Sequence, residues 1–168
     1  MRIFTHNKDI LTVTEADTIV VTADGAAPGL EGNTARHLMK AVEVEDLRQM
    51  FGPPLTYPFN GGAIWSSLEG MFDTHFEWIC VLGTLGHMAE EPHKVTLRKA
   101  LREALDGMSY GGVGRRLAVR VLTGGPRVPF VDAVYIMMEE AEKLSPRLEM
   151  HIAETDPERF KTLQQIVR

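Results

Sequence analysis

Three segments of this chain set anion-binding or proton-moving groups directly after runs of β-forming residues. Leu117 to Leu122 empties into Thr123-Gly124-Gly125, a turn with a hydroxyl donor, two glycines and no acid. Thr18-Ile19-Val20-Val21 empties into Ala23-Asp24-Gly25, then into Gly29-Leu30-Glu31-Gly32 ahead of an amphipathic stretch. Trp78 to Leu82 empties into Gly83-Thr84-Leu85-Gly86. Ligands of open α/β sheets sit outside the carboxyl ends of strands, where glycines and helix starts aim backbone N–H groups at a phosphate. The pattern predicts one shared ligand crevice. Thr123, Gly124 and Gly125 make the better phosphate loop, because Glu31 sets a carboxylate between Gly29 and Gly32 of the other.

Other chemistries lack their residues. His87 and His93 flank Glu90-Glu91, but Pro92 breaks any helix that would bring them to one face. There is no His-Glu-x-x-His, and Cys80 has no Cys or His at ligand spacing, so neither a metal nor a cofactor is expected. His37 and His75 read as surface or packing residues. A serine nucleophile would need a Gly-x-Ser-x-Gly elbow, and none exists. Gly111-Gly112-Val113-Gly114-Arg115-Arg116 precedes a strand instead of following one, so it is neither a dinucleotide fingerprint nor a P-loop.

Composition sets the outer bounds. At 168 residues, 44% hydrophobic and 24% charged, the chain reads as one soluble domain spanning residues 1–168. Its formal net charge of -5, without a long basic stripe, disfavours nucleic acid as a partner. No apolar run approaches the ~20 residues that span a bilayer, and the first residues hold no signal-peptide core, so no membrane partner is expected. The single Cys80 excludes an intrachain disulfide, and a cytoplasmic location is the plain expectation.

Periodicity places the elements that must position these groups. Strands are expected at Met1–Phe4, Ala16–Val21, Ala63–Trp65, Glu77–Leu82, Leu117–Leu122 and Leu148–Ala153. Helices are expected over Thr34–Phe51, Val95–Met108, Pro129–Lys143 and from Asp156 to Val167, the last with Asp156 as N-cap and Pro157 in its first turn. In the second helix Leu97, Leu101, Ala104, Leu105 and Met108 form one stripe, and Gly107 with Gly111-Gly112 supplies the stop. In the third, Val131, Val134, Tyr135 and Met138 are expected to face inward. Trp65, Phe72, Phe76 and Trp78 read mainly as core, with a self-association patch as the alternative. The fold class is α/β: three layers, a mixed, mostly parallel central sheet and helices on both faces.

In this order the elements resemble the macro domain, the module that binds ADP-ribose and related NAD-derived nucleotides. The resemblance covers nearly the whole chain. Lys8-Asp9-Ile10 stands where the family has Gly-Asp-Ile, whose Asp meets the adenine amino group. Ile19-Val20 followed by Val21-Thr22-Ala23-Asp24 stands where the family runs into Asn-Ala-Ala-Asn. Gly29 to Ala41 stands for its glycine loop and helix, Gly61-Gly62-Ala63-Ile64 for its Gly-x-Ala segment, and Thr123-Gly124-Gly125 for its second phosphate loop. Phe130 lies near the aromatic that follows that loop. Val21 and Asp24 replace the family's two asparagines, and the first glycine loop is reduced to Gly29 and Gly32.

The resemblance implies a site in which Asp9 and Ile10 meet the adenine. Gly29, Gly32, Thr123, Gly124 and Gly125 would meet the diphosphate, Phe130 would pack on the adenosine side, and Asp24 would lie near the distal ribose. There Asp24 could act as a general base on water, making the chain an ADP-ribosyl hydrolase, or could bond ribose hydroxyls without reaction. From the residues alone, Asp9 reads equally as a turn-capping aspartate and Asp24-Gly25 as a favoured turn pair. The alternative function is a macro-like fold that has lost the nucleotide and serves as a protein-interaction or structural module; the depleted glycine loop and Glu31 point that way.

Overall fold

The computed structural model describes residues 1–24, 31–50, 59–84, 92–124 and 127–168. Six strands form one sheet there: β1 (Arg2–His6), β2 (Thr18–Ala23), β3 (Ala63–Ser67), β4 (Trp78–Gly83), β5 (Arg116–Val119) and β6 (Glu149–Ala153). Their spatial order is β1-β6-β5-β2-β4-β3. Every pairing is parallel except that of β3 with β4. Four α-helices cover it: α1 (Asn33–Ala41), α2 (His93–Gly111), α3 (Phe130–Glu142) and α4 (Pro157–Ile166). Among the described residues, no helix is long and apolar enough to cross a membrane.

Alternate residues along each strand build two cores, as the two-residue repeat of a strand requires. Val20, Cys80, Leu82, Leu117, Val119, Met150 and Ile152 pack against α2, α3 and α4. Ile19, Val21, Ile79, Val81, Ala118 and Ala153 pack on the other face, under α1 and the short 3₁₀ turns Ile10–Thr12 and Leu47–Met50. Strands buried on both faces read as unbroken apolar runs, which is why β2 and β4 stand out in the sequence. The expected three-layer α/β class is the one observed. Burial, with Glu103 nearby, pushes the Cys80 thiol well up and keeps it protonated inside β4.

Several boundaries depart from expectation. The helix expected over Thr34–Phe51 ends at Ala41; Glu43 takes φ 57, which no helix continues through, and Leu47–Met50 forms a separate 3₁₀ turn. Helix α2 runs through Gly107 to Gly111 and stops at the left-handed Gly112. Gly107 is a packing glycine: a Cβ there would lie 2.8 Å from Trp65 Nε1. Strand β5 ends at Val119, so Arg120 to Leu122 lie beyond the ladder. On α3, Val134 is buried, but Val131 and Tyr135 are 42% and 50% exposed.

That rotation of α3 puts Glu140, 2% exposed, against α2. Its carboxylate accepts from Arg98 Nη1 at 2.9 Å, from Arg102 Nε at 3.1 Å and from Lys143 Nζ at 2.8 Å. Burial pushes this carboxyl up, but the cations outweigh it and hold it at about 2. A folded-state value below the usual 4.5 means stability that is fully present above 4.5 and lost as pH falls toward 2. Glu140→Gln is therefore expected to cost about 2 kcal/mol at pH 7 in urea unfolding. The gap to the parent chain should close as pH falls from 4.5 toward 2; a gap independent of pH would contradict the pairing.

Candidate functional site

The site opens where the ladder between β2 and β5 stops. These strands pair only at Thr18–Leu117 and Ile19–Ala118, whereas β2 pairs with β4 along its full length. Beyond Ile19, Glu31 and Gly32 take the place that β5 leaves. Gly32 N–H donates to Thr22 O at 2.7 Å, and Glu31 bridges to Ala23. The fit admits no side chain at 32, because a Cβ would press on the Thr22 hydroxyl and lie 2.9 Å from Thr22 O.

Between the diverging strands lies a cleft of about 860 Å³. The end of β2 supplies Val20, Val21, Thr22 and Asp24; the segment after β5 supplies Arg120 to Gly124. Two helix starts face it. Gly32, Asn33 and Thr34 open α1, while Val128, Pro129 and Phe130 open α3. The N-caps, Gly32 and Pro129, provide no side-chain acceptor, so the first-turn amides of both helices lack that partner. Each helix start also carries about half a positive charge. Gly124 turns the second loop at φ 59, where glycine is favoured, and Val128 N–H closes it on Thr123 O at 2.9 Å.

Of the residues singled out in the sequence, Asp24, Gly32, Thr123, Gly124 and Phe130 line this one cleft. Asp24 is 1% exposed. Gly29 and Gly125 lie outside the described residues, as do His87, Glu90 and Glu91. Asp9 and Ile10 are not among the cleft-lining residues. Ile10 is buried in the core, and Asp9 caps the first 3₁₀ turn, its Oδ1 accepting from Leu11 N–H at 2.8 Å. Asp9 Oδ2 lies 2.8 Å from His37 Nε2 on α1. Burial raises the Asp9 carboxyl, but Leu11 N–H, His37 and the charge of Arg120 more than offset it and leave it below its usual value. Among the described residues no three His, Cys, Asp or Glu gather as a metal site.

The structure adds what the sequence pattern left out: four arginines and a buried glutamate. Arg36 from α1, Arg120 after β5, Arg127 before α3 and Arg159 from α4 all line the cleft. Arg36 donates to Asn33 Oδ1 at 2.5 Å, and the Arg159 guanidinium lies 5.7 Å from the Phe130 ring centroid. Glu154, 3% exposed at the end of β6, accepts from Asp156 N–H at 2.9 Å. The one available signal was positional: Arg120 and Arg127 bracket the Thr123-Gly124 turn. Chemically the cleft sets guanidinium groups and helix-start amides, which can hold an anion, near an aromatic ring.

No protein-family model matches this sequence, and no curated protein matches it. Solved structures do match. A variant of the Oceanobacillus iheyensis macrodomain superposes with TM-score 0.73 at 17% identity, covering 97% of this chain and 85% of that one. The Trypanosoma brucei macrodomain in complex with ADP-ribose gives 0.70 at 19%, covering 99% and 69%. The alphavirus P23pro-zbd protein gives 0.73 at 13%; it covers 99% of this chain, which spans only 23% of that protein's length. At these identities the likeness is one of fold: the chain has the macrodomain fold, in a divergent form.

Gly32→Ala should lower stability by about 1–3 kcal/mol, since overpacking against the β2 backbone forces the α1 start away. Urea unfolding checks it. An unchanged midpoint would contradict the close approach of Gly32 to Thr22.

Proposed function

We propose that this chain binds ADP-ribose or a closely related NAD-derived nucleotide in the cleft between β2 and β5. The observation that carries the reading is convergence. In a chain of net charge -5, two uncapped helix starts and four arginines line one cleft, against the carboxylates of Asp24, Glu31 and Glu154 among the described residues. A diphosphate fits such a place, held by first-turn amides and by guanidinium forks. The cleft's size suits a small-molecule ligand. Support also comes from solved structures of this fold that hold ADP-ribose or ADP. The arginine lining favours this reading over an interaction module that has lost its nucleotide.

We further infer that Asp24, buried at the end of β2, is the residue to act on water if the chain hydrolyses an ADP-ribosyl bond. Glu31, bridged to Ala23 at the end of the same strand, lines the cleft with it.

Isothermal titration with ADP-ribose should show micromolar binding. Gly124→Val should weaken it about tenfold or more while the far-UV spectrum stays native, because the turn at φ 59 then loses its shape. No heat and no change in melting temperature at millimolar ligand would overturn the reading. Asp24→Asn should keep binding; where the parent releases ADP-ribose from a modified protein, the variant should not.

A further inference from the structure

Helices α2 and α3 bury one side each and leave apolar groups on the other. α2 turns Leu97, Leu101, Ala104 and Leu105 into the core, and α3 turns Ala133, Val134, Met137 and Ala141. Their outer faces meet in a groove of about 420 Å³. α2 lines it with Val95, Arg98, Lys99 and Arg102, and α3 with Asp132, Tyr135, Ile136 and Glu139. Both sets follow the i, i+3, i+4, i+7 spacing of one helical stripe, so each helix presents a whole face there. Val95, Val131 and Tyr135 are 42%, 42% and 50% exposed, which is half of the six large apolar side chains exposed among the described residues. The aromatics that the sequence offered as a self-association patch are elsewhere: Phe76 is buried and Trp65 packs on the core.

Charge says what covers this face. Among the described residues that line the groove, the cations come from α2 and the carboxylates from α3. They pair in step: Lys94 with Asp132 at 2.5 Å, Arg98 with Glu139 at 2.7 Å and Arg102 with Glu140 at 3.0 Å, so the two helices run in the same direction. The face is polarised, positive along one helix and negative along the other. A nucleic acid, or a protein surface of one sign, would meet like charge on one of the two helices. A second copy of this chain meets opposite charge on both, in one of two symmetric arrangements. A two-fold axis across the helices sets α2 on α2, cation on cation. An axis along them sets α2 on the second copy's α3 at the same height. Lys94 then stands opposite Asp132 and Arg98 opposite Glu139, while the apolar groups along the groove close on one another at the axis.

We propose that this chain forms a two-fold dimer through the outer faces of α2 and α3, with the axis along the helices. Tyr135, Val95 and Val131 supply its apolar centre, and the ion pairs set its orientation. The contact is of the small, transient class, and it stands independently of the nucleotide reading.

Sedimentation velocity of the full chain from about 10 µM to about 1 mM tests it, the range of a transient contact. The mean mass should rise toward that of two chains, and amide shifts followed on dilution should move most at Val95, Val131 and Tyr135. Tyr135→Glu sets a carboxylate at the axis and should weaken association about tenfold or more with an unchanged melting temperature. Reversing one pair separates this geometry from others. Lys94→Glu with Asp132→Lys keeps the ion pair within the chain and leaves the face self-complementary, so the double variant should associate as the parent does. Energy transfer between labelled parent and labelled double variant should show mixed dimers about fivefold or more below the statistical share, because like charges meet at both positions. A single-chain mass up to about 1 mM, association that Tyr135→Glu leaves unchanged, dilution shifts centred on another face, or free mixing of the two forms would overturn the proposal.

Discussion

The short ladder between β2 and β5 is the constraint from which the rest follows. Two residue pairs join these strands, and then they part, while β4 on one side and β6 on the other keep their pairings. A sheet that stayed closed here would have no room at its centre. Because it opens, the backbone of β2 finds a new partner in Gly32, and that bond fixes where α1 begins. The start of α1 faces the gap from one side and that of α3 from the other.

Electrostatics follows from that geometry. Parallel strands send every following segment out at the same edge, so residues far apart in sequence meet there. Arg36, Arg120, Arg127 and Arg159 come from four different elements, and only the topology brings them together. The same placement mixes the charges: Arg36 comes from the helix after β2 and Glu154 from the end of β6, so guanidinium and carboxylate groups reach the cleft from both sides of the gap. Between α2 and α3, Glu140 shows the opposite use of arginine, where ion pairs tie the two helices together and are saturated within the fold.

Much of this was legible in the sequence. Apolar runs bounded by glycine marked β2, β4 and β5, and the order of elements pointed to the fold that the solved structures share. Asp24, Gly32, Thr123, Gly124 and Phe130 could be singled out because strand ends and helix starts are local signals. The arginines could not, since no local pattern says that four dispersed side chains share a wall. Tyr135 and Val131 were misread for a related reason. Apolar spacing on α3 allowed two faces, and the contacts of α2 and the sheet chose the one with Ala133, Val134, Met137 and Glu140. The Asp9 carboxylate had two readings from the residues, and it stands as the cap of the first 3₁₀ turn, paired with His37.

In the proposed function, the two helix starts on either side of the β2–β5 gap hold one anionic ligand. Amide chemical shifts of the labelled protein, followed during titration with ADP-ribose, test it most directly. Saturable shifts are expected, largest at Gly32, Asn33 and Thr34 and at Val128 and Phe130, with the exposed face of α2 and α3 around Val95 and Tyr135 left unmoved. Shifts centred on that outer face, or none at either helix start at saturating ligand, would contradict it.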